Sequence, residues 1–233
     1  MSEANVKFSS TQRCEIKGIS ARGVSVVTTT WNERQNIEKL VSSIRQVLRG
    51  VQHEIIIVDD DSSDGTFQAA KLVADVAFRK KREGQTIGLL FGMQHAKYPI
   101  IVTIDSDLEN DPVHIPALIQ RIGEFDLVVA SRTQLPRISE IIASKTLGRL
   151  LNVRDVFSNY RVLRKDTVQS FTLRGGETFG AEFLVIAKRK SLKIGEMEYT
   201  SSHRRGHPRI GGTLRANLRI AWALAKSLGL YLV

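Results

Sequence analysis

Apolar stretches alternate with polar turns along most of this chain, and the period of the pattern switches as they do. Residues 24–30 form a run rich in β-branched side chains and read as a strand. Ile37, Leu40, Val41, Ile44, Val47 and Leu48 then recur at helical spacing, with Asn32 in position to cap that helix. Residues 54–58 are nearly all β-branched, as expected of a strand buried on both faces. The pattern further predicts a short strand at 76–78, a helix at 84–97, a strand at 100–104, a helix near 115–122 and a strand at 125–130. The second half is less regular, with strands expected at 160–163 and 194–199 and a helix at 180–189. This alternation predicts an α/β fold on a mainly parallel, doubly wound sheet. With no internal repeat and no Pro/Gly-rich linker, one domain is expected over 24–212, preceded by a polar arm (1–23) and followed by a basic amphipathic helix (213–233).

Charge narrows the partners. The 233 residues carry 34 Lys and Arg against 24 Asp and Glu, a net +10. That excess favours anionic partners: nucleic acid, an anionic membrane surface or phosphorylated substrates. The basic residues are not interleaved with aromatics as on a strand-binding surface, so nucleic acid is not expected. The single Cys14 excludes an internal disulfide and fits a reducing compartment. No apolar run approaches the ~18 residues of a membrane span, and residues 1–23 lack the apolar core of a signal peptide. From 203 to 233 there is no acidic residue. Arg215, Arg219 and Lys226 interleave there with Leu214, Leu218, Ile220, Trp222 and Leu224. Two readings fit: a helix lying in a membrane interface, or a last helix packed on the domain.

The chemistry gathers at strand ends. Asp105-Ser106-Asp107 stands directly behind the 100–104 strand. Two carboxylates one residue apart repel unless a cation lies between them, and such oxygen ligands suit Mg²⁺ or Mn²⁺ shared with a substrate's phosphates. Asp59 to Thr66 follows the second strand and Thr28 to Glu33 the first. Strand C-termini share one edge of a parallel sheet, so the three segments should meet in one cleft. Capping accounts for Ser62, Ser63 and Asp64; it leaves Asp59 and Asp60, still in strand register, as candidates for function. No G-x-G-x-x-G follows the first strand, no P-loop is present, and the histidines lack zinc spacing.

Val27–Arg34, Val58-Asp59-Asp60-Asp61-Ser62-Ser63-Asp64-Gly65-Thr66, Asp105 to Glu109, Ser131-Arg132, Ser158 to Lys165 and Gly206 to Gly212, in that order, resemble the inverting GT-A glycosyltransferases of family 2. Within that family the dolichyl-phosphate (polyprenyl-phosphate) mannose synthase branch is most similar. The resemblance implies a mixed, mainly parallel GT-A sheet and a donor pocket formed by Thr29, Trp31, Glu33, Val58, Asp59, Asp60, Asp105 and Ser106. It implies a metal on Asp105 and Asp107 with Glu109 nearby, an acceptor phosphate held by Arg132, Arg137 and Ser158, and a diphosphate loop carrying Arg205 and Arg209. The reaction it implies moves mannose or glucose from a nucleotide sugar, GDP-mannose favoured over UDP-glucose, to a polyprenyl or dolichyl monophosphate. An acceptor that is already an anion needs positioning rather than deprotonation, so no general base is expected; Asp107, Arg132 and Arg137 are the expected catalytic residues. The expected location is peripheral, on the cytoplasmic face of a membrane. The chain departs from the family at Thr29-Thr30-Trp31 (usually Pro-Thr-Tyr), at Glu109 (usually Gln), and at His203 and Pro208-Arg209 in the basic loop. Two alternatives stay open: a same-fold enzyme using a glycan or soluble acceptor, and a non-catalytic module that binds nucleotide sugars or anions.

Overall fold

The computed structural model describes residues 23–169, 171–173, 177–178, 180–200 and 213–232. Its centre is a seven-stranded sheet in the order β3-β2-β1-β4-β6-β5-β7. The strands are β1 Val24–Thr30, β2 His53–Asp59, β3 Val76–Arg79, β4 Ile100–Thr103, β5 Leu127–Arg132, β6 Arg161–Arg164 and β7 Ile194–Tyr199. All pairings are parallel except those of β6, which runs antiparallel to both β4 and β5. The mixed, mainly parallel sheet is therefore present, with its one reversed strand in the interior.

Both faces are covered, which is why β1, β2 and β4 carry apolar residues at successive positions. Val24, Val26, Ile55, Ile57, Ile100 and Val102 pack on one side with Ile37, Leu40, Val41 and Ile44 of α1 (Arg34–Val47). Val27, Ile56, Val58 and Ile101 pack on the other with Leu89 and Met93 of α3 (Gln85–Gln94). α3 lies unusually close to the sheet. A Cβ on Gly88 would stand 2.6 Å from the Thr29 methyl, and one on Gly92 2.5 Å from Val27 Cγ1. Two glycines one turn apart thus let the helix seat directly on β1 and aim its N-terminus at the strand ends. Between α1 and α3 lies α2, Thr66–Val73. α4 (Ile115–Arg121) follows a 3₁₀ turn at Pro112–His114.

The region between β5 and β6 is helical, which the hydrophobic pattern did not suggest. α5 (Ile138–Ala143) runs through a π-helical stretch, Ser144–Gly148, into α6 (Arg149–Leu151). After β6 come α7 (Lys165–Gln169) and α8 (Ala181–Arg189). The last helix, α9 (Thr213–Leu232), packs on α5 and α8 with Ala216, Ile220, Ala223 and Leu224 buried. Leu218 and Trp222 remain 63% and 65% exposed. One side of α9 is thus a packed face and another carries apolar residues outward.

Two local expectations need correction. Asn32 is not the cap of α1; it takes the left-handed conformation (φ 54°) and ties two loops together. Its N–H donates to Ser62 Oγ (2.8 Å), and its Oδ1 accepts from Ser63 N–H (3.0 Å). The strand expected at 125–130 instead spans Leu127–Arg132, which places Arg132 on the strand, in register with Tyr199.

Candidate functional site

A cavity of about 300 Å³ opens at the C-terminal ends of β1, β2 and β4. From the β1 side Thr29, Thr30, Trp31 and Glu33 line it, from β2 Asp60, and from β4 Asp105, Ser106, Asp107, Glu109 and Asn110. Arg132, Arg137, Glu140, Phe157, Ser158 and Asn159 form the opposite wall. Parallel strands bring their C-termini to one edge, so residues more than a hundred positions apart share one hollow.

On the first wall the two neighbouring aspartates have separate tasks. Asp59 is fully buried and does not line the cavity; its Oδ2 accepts from Ser62 N–H (3.0 Å), and its Oδ1 is buried without a hydrogen-bond partner. Asp60 lines the cavity and organises the approach to α3. It accepts from Glu83 N–H and Gly84 N–H, both at 3.0 Å, and from Lys80 Nζ at 3.3 Å. Val58 belongs to the core beneath α3 rather than to the cavity. The basic run at 79–82 is pinned beside this wall. Arg79 pairs with Asp61 (2.8 Å), Lys80 with Asp60 and Glu83, and the Arg82 guanidinium stacks 3.5 Å above the Trp31 ring.

Asp105 is the most perturbed acid here. Burial, together with the charges of Asp107 and Glu109, pushes its carboxyl up to about 7. Its Oδ2 accepts from Asn110 Nδ2 (2.8 Å), and its Oδ1 accepts from Gln85 Nε2. Asp107 Oδ1 accepts from Glu109 N–H (3.1 Å), which closes the turn through Leu108 at φ 65°. Among the described residues no three His, Cys, Asp or Glu side chains are grouped to hold a metal ion by themselves. The donor set fits a cation shared with a ligand: a carboxyl raised by its acidic neighbours gains from a divalent ion, and phosphate oxygens complete the shell that two carboxylates begin.

The arginine wall is a neutralised cluster. Arg132 donates from Nε (2.6 Å) and Nη2 (3.2 Å) to Asp155, and its Nη2 lies 3.5 Å from Glu140 Oε1. Burial opposes its charge, but Asp155 and Glu140 outweigh that and raise its pKa further. Arg137 donates from Nη1 to the same Glu140 oxygen (2.7 Å), while the Glu140 carboxylate accepts the Arg137 N–H at 3.3 Å, closing the first turn of α5. A guanidinium has five N–H donors, so each arginine keeps some for a ligand. The Ser158 hydroxyl is used by the fold: it donates to Ala130 O (2.6 Å) and accepts from Tyr160 N–H (3.2 Å). Arg205 and Arg209 lie outside the described residues.

Sequence reasoning missed Gln85, Asn110, Glu140 and Asp155. Asn110 had a weak signal, lying five residues past Asp105 in the same loop. Asp155 and Glu140 meet Arg132 only through the antiparallel insertion of β6 and the unanticipated α5, so no local spacing advertises them. Arg161 was also passed over. It is buried, donates to the backbone carbonyls of Ser158, Gly180 and Val156, and is pulled down to about 10 by burial.

Residues 25–192 match the profile of Glycosyl transferase family 2. The chain belongs to that family. A dolichol-phosphate mannosyltransferase from Pyrococcus furiosus is 31% identical over 227 residues, covering 87% of this chain and 64% of that one. A dodecaprenyl-phosphate galacturonate synthase from Rhizobium johnstonii is 29% identical over 203 residues, 79% of this chain and 60% of the relative. The chain thus spans less than two thirds of the length of either. Glucosyl-3-phosphoglycerate synthase from Mycobacterium tuberculosis, crystallised with phosphoglyceric acid, superposes with a TM-score of 0.76 at 23% identity, over 92% of this chain and 83% of that one. The same enzyme with Mn²⁺, UDP and phosphoglyceric acid gives 0.75 at 22%, over 92% and 82%. At that identity the likeness establishes the GT-A fold.

Proposed function

We propose that this chain transfers a sugar from a nucleoside diphosphate donor to a polyprenyl monophosphate, with a divalent cation at Asp105 and Asp107. The observation that carries the reading is a single cavity with carboxylates on one wall and arginines on the other. A nucleotide sugar needs a cation at its diphosphate, and a phosphate acceptor needs cationic side chains; the two walls supply these separately. The dolichol-phosphate and dodecaprenyl-phosphate relatives point the same way.

In this reading Trp31, Glu33 and Asp60 border the nucleoside. Asp105 and Asp107 hold Mg²⁺ or Mn²⁺, which when bound offsets the charge on the departing nucleoside diphosphate. Arg132 and Arg137 orient the acceptor phosphate, whose oxygen attacks the anomeric carbon and inverts it. No base is required, and among the described residues no histidine lines the cavity. The remaining N–H donors of the arginines do the positioning, while Asp155 and Glu140 fix their direction.

The acceptor is a lipid, and one surface suits a bilayer. Ile138, Ile141 and Ile142 of α5 and Leu218 and Trp222 of α9 all point outward. Ser139 Oγ donates to Asn217 Oδ1 (2.6 Å), so the two helices that carry these residues are joined side by side. Ile138 follows Arg137 directly, so the α5 part of this surface adjoins the arginine wall, while Ile220 lines the cavity from the packed side of α9. No helix among the described residues is long and apolar enough to cross a membrane. In this reading the exposed apolar residues meet the bilayer surface, with Trp222 and the isoleucines at the headgroup boundary and Arg219 and Lys226 toward anionic lipid.

The test offers purified protein, Mn²⁺ and a polyprenyl phosphate a mixture of GDP-mannose, UDP-glucose and related donors. Lipid extracts are read by mass spectrometry. One new glycosyl-phosphoryl-lipid is expected, with GDP-mannose the favoured donor. Transfer to 3-phosphoglycerate offered in the same tube, without lipid product, would overturn the acceptor assignment.

A further inference from the structure

We infer that Tyr199, acting through Asn110, is a positioning residue for the cation-binding carboxylate of Asp105. The inference rests on the metal-assisted reading above and goes beyond it. Tyr199 is the last residue of β7, 4% exposed. Its hydroxyl donates to Asn110 Oδ1, and Asn110 Nδ2 donates to Asp105 Oδ2 at 2.8 Å. Three residues from two segments, the loop after β4 and the end of β7, therefore form one directed chain.

The chemistry of an amide gives the chain its direction. Asn110 can offer a donor to a carboxylate and an acceptor to a phenol in only one orientation. Rotating the amide would set its oxygen against the Asp105 carboxylate. Burial raises the Tyr199 hydroxyl above its ordinary range, so it remains protonated and keeps donating. Its ring is held in place by Tyr160, edge-on at 5.8 Å, and by His114 at 5.1 Å. The backbone is held as well: Tyr199 O accepts from Thr133 N–H at 2.9 Å.

On the other side, Gln85 at the start of α3 donates to Asp105 Oδ1. Asp105 thus has one amide on each oxygen, from helix and from loop, and its remaining lone pairs are left for the cavity. Outer partners of this kind fix the direction of a ligating carboxylate, and losing one lowers metal affinity by about 10- to 100-fold. A buried tyrosine that merely satisfied its hydroxyl would have no effect on a cation.

The test is a titration of the intact chain with Mn²⁺, followed by the electron paramagnetic resonance signal of free Mn²⁺, in the presence of GDP and separately of UDP. Tyr199→Phe keeps the ring and removes only the hydroxyl. It is expected to weaken Mn²⁺ binding about tenfold, with nucleotide affinity in EDTA unchanged. Asn110→Ala is expected to weaken it at least as much. The double variant should bind no worse than Asn110→Ala alone, since the hydroxyl acts only through the amide. Wild-type binding with no loss in Tyr199→Phe, or losses that simply add in the double variant, would overturn the inference. Should Asn110→Ala fail to fold, Tyr199→Phe alone and Gln85→Ala, which cuts the opposite support, still decide it. A wild-type chain that binds no Mn²⁺ with either nucleotide would overturn the metal-assisted reading, and this inference with it.

Discussion

The two walls of the cavity are built in opposite ways. The carboxylate wall rises from the adjacent parallel strands β2, β1 and β4, each ending in a polar segment. The arginine wall depends on a reversed strand and a helical excursion: Arg132 of β5 meets Asp155 before β6 and Glu140 of α5. One wall carries excess negative charge and awaits a cation. The other has already neutralised its own charge. Adding a ligand to the first relieves repulsion, whereas altering the second exposes a buried imbalance.

The contrast is sharpest in Arg132→Ala. It would leave Asp155, 1% exposed, without its salt-bridge partner, and Glu140, 4% exposed, with Arg137 alone. Removing one partner from a buried ion pair costs about 3–5 kcal/mol. Arg137 is more exposed and shares Glu140 with Arg132, so Arg137→Ala should cost far less stability while raising the KM for the lipid acceptor. Chemical denaturation of both variants checks this. Equal, small losses would mean that the arginine wall is not neutralised in the way the geometry implies.

On the carboxylate wall the sign reverses. Asp107→Asn and Asp105→Asn should each lower transfer by about 10²–10³-fold, the scale of losing one electrostatic stabiliser; in the metal-free fold Asp105→Asn removes a buried charge while giving up one of the two amide hydrogen bonds the carboxylate accepts. The Asp105 carboxyl lies at about 7 in the folded chain against an ordinary 3.8. Between those values the folded state holds a proton that the unfolded state has lost, so this contribution to stability declines as pH rises through 7. Melting curves in EDTA should show Asp105→Asn gaining on wild type from pH 5 to pH 8. A gap independent of pH would break the comparison.

How much of this was legible follows the same division. Asp60, Asp105, Asp107 and Trp31 stand at strand ends, where alternation of strands and helices locates them from local pattern alone. The reversed β6 read as a strand, but nothing in Tyr160–Leu163 betrays its direction, because side-chain alternation is the same in both senses. Asp59 looked like the twin of Asp60; only the turn that brings Ser62 N–H back onto its carboxylate tells them apart. Gln85 was hidden because its role depends on two glycines that lower α3 onto β1, a contact across more than fifty residues.

The apolar face beside the arginine wall offers a smaller test. Ile138→Asn together with Trp222→Ala should weaken binding to anionic vesicles by about tenfold or more, since burying each such side chain contributes about 1.5–3 kcal/mol at most. Melting temperature should hardly move, because both residues are largely exposed. Sedimentation with vesicles measures it, and unchanged binding would detach this face from the bilayer.

The smallest effect separates the two walls once more. Arg82 stacks on Trp31 at 3.5 Å in a basic run that, by composition alone, could serve lipid binding. An exposed cation–π contact contributes about 0.5–1 kcal/mol, so Arg82→Ala should lower stability by no more than that. If the run belongs to the carboxylate wall, the variant changes Trp31 fluorescence and the affinity for nucleoside diphosphate and leaves vesicle binding alone. Trp222→Phe as background removes the only other tryptophan signal. Loss of vesicle binding with nucleotide affinity intact would move this run to the membrane side and place basic lipid contacts at both ends of the cavity. The division of labour between the walls would then no longer hold.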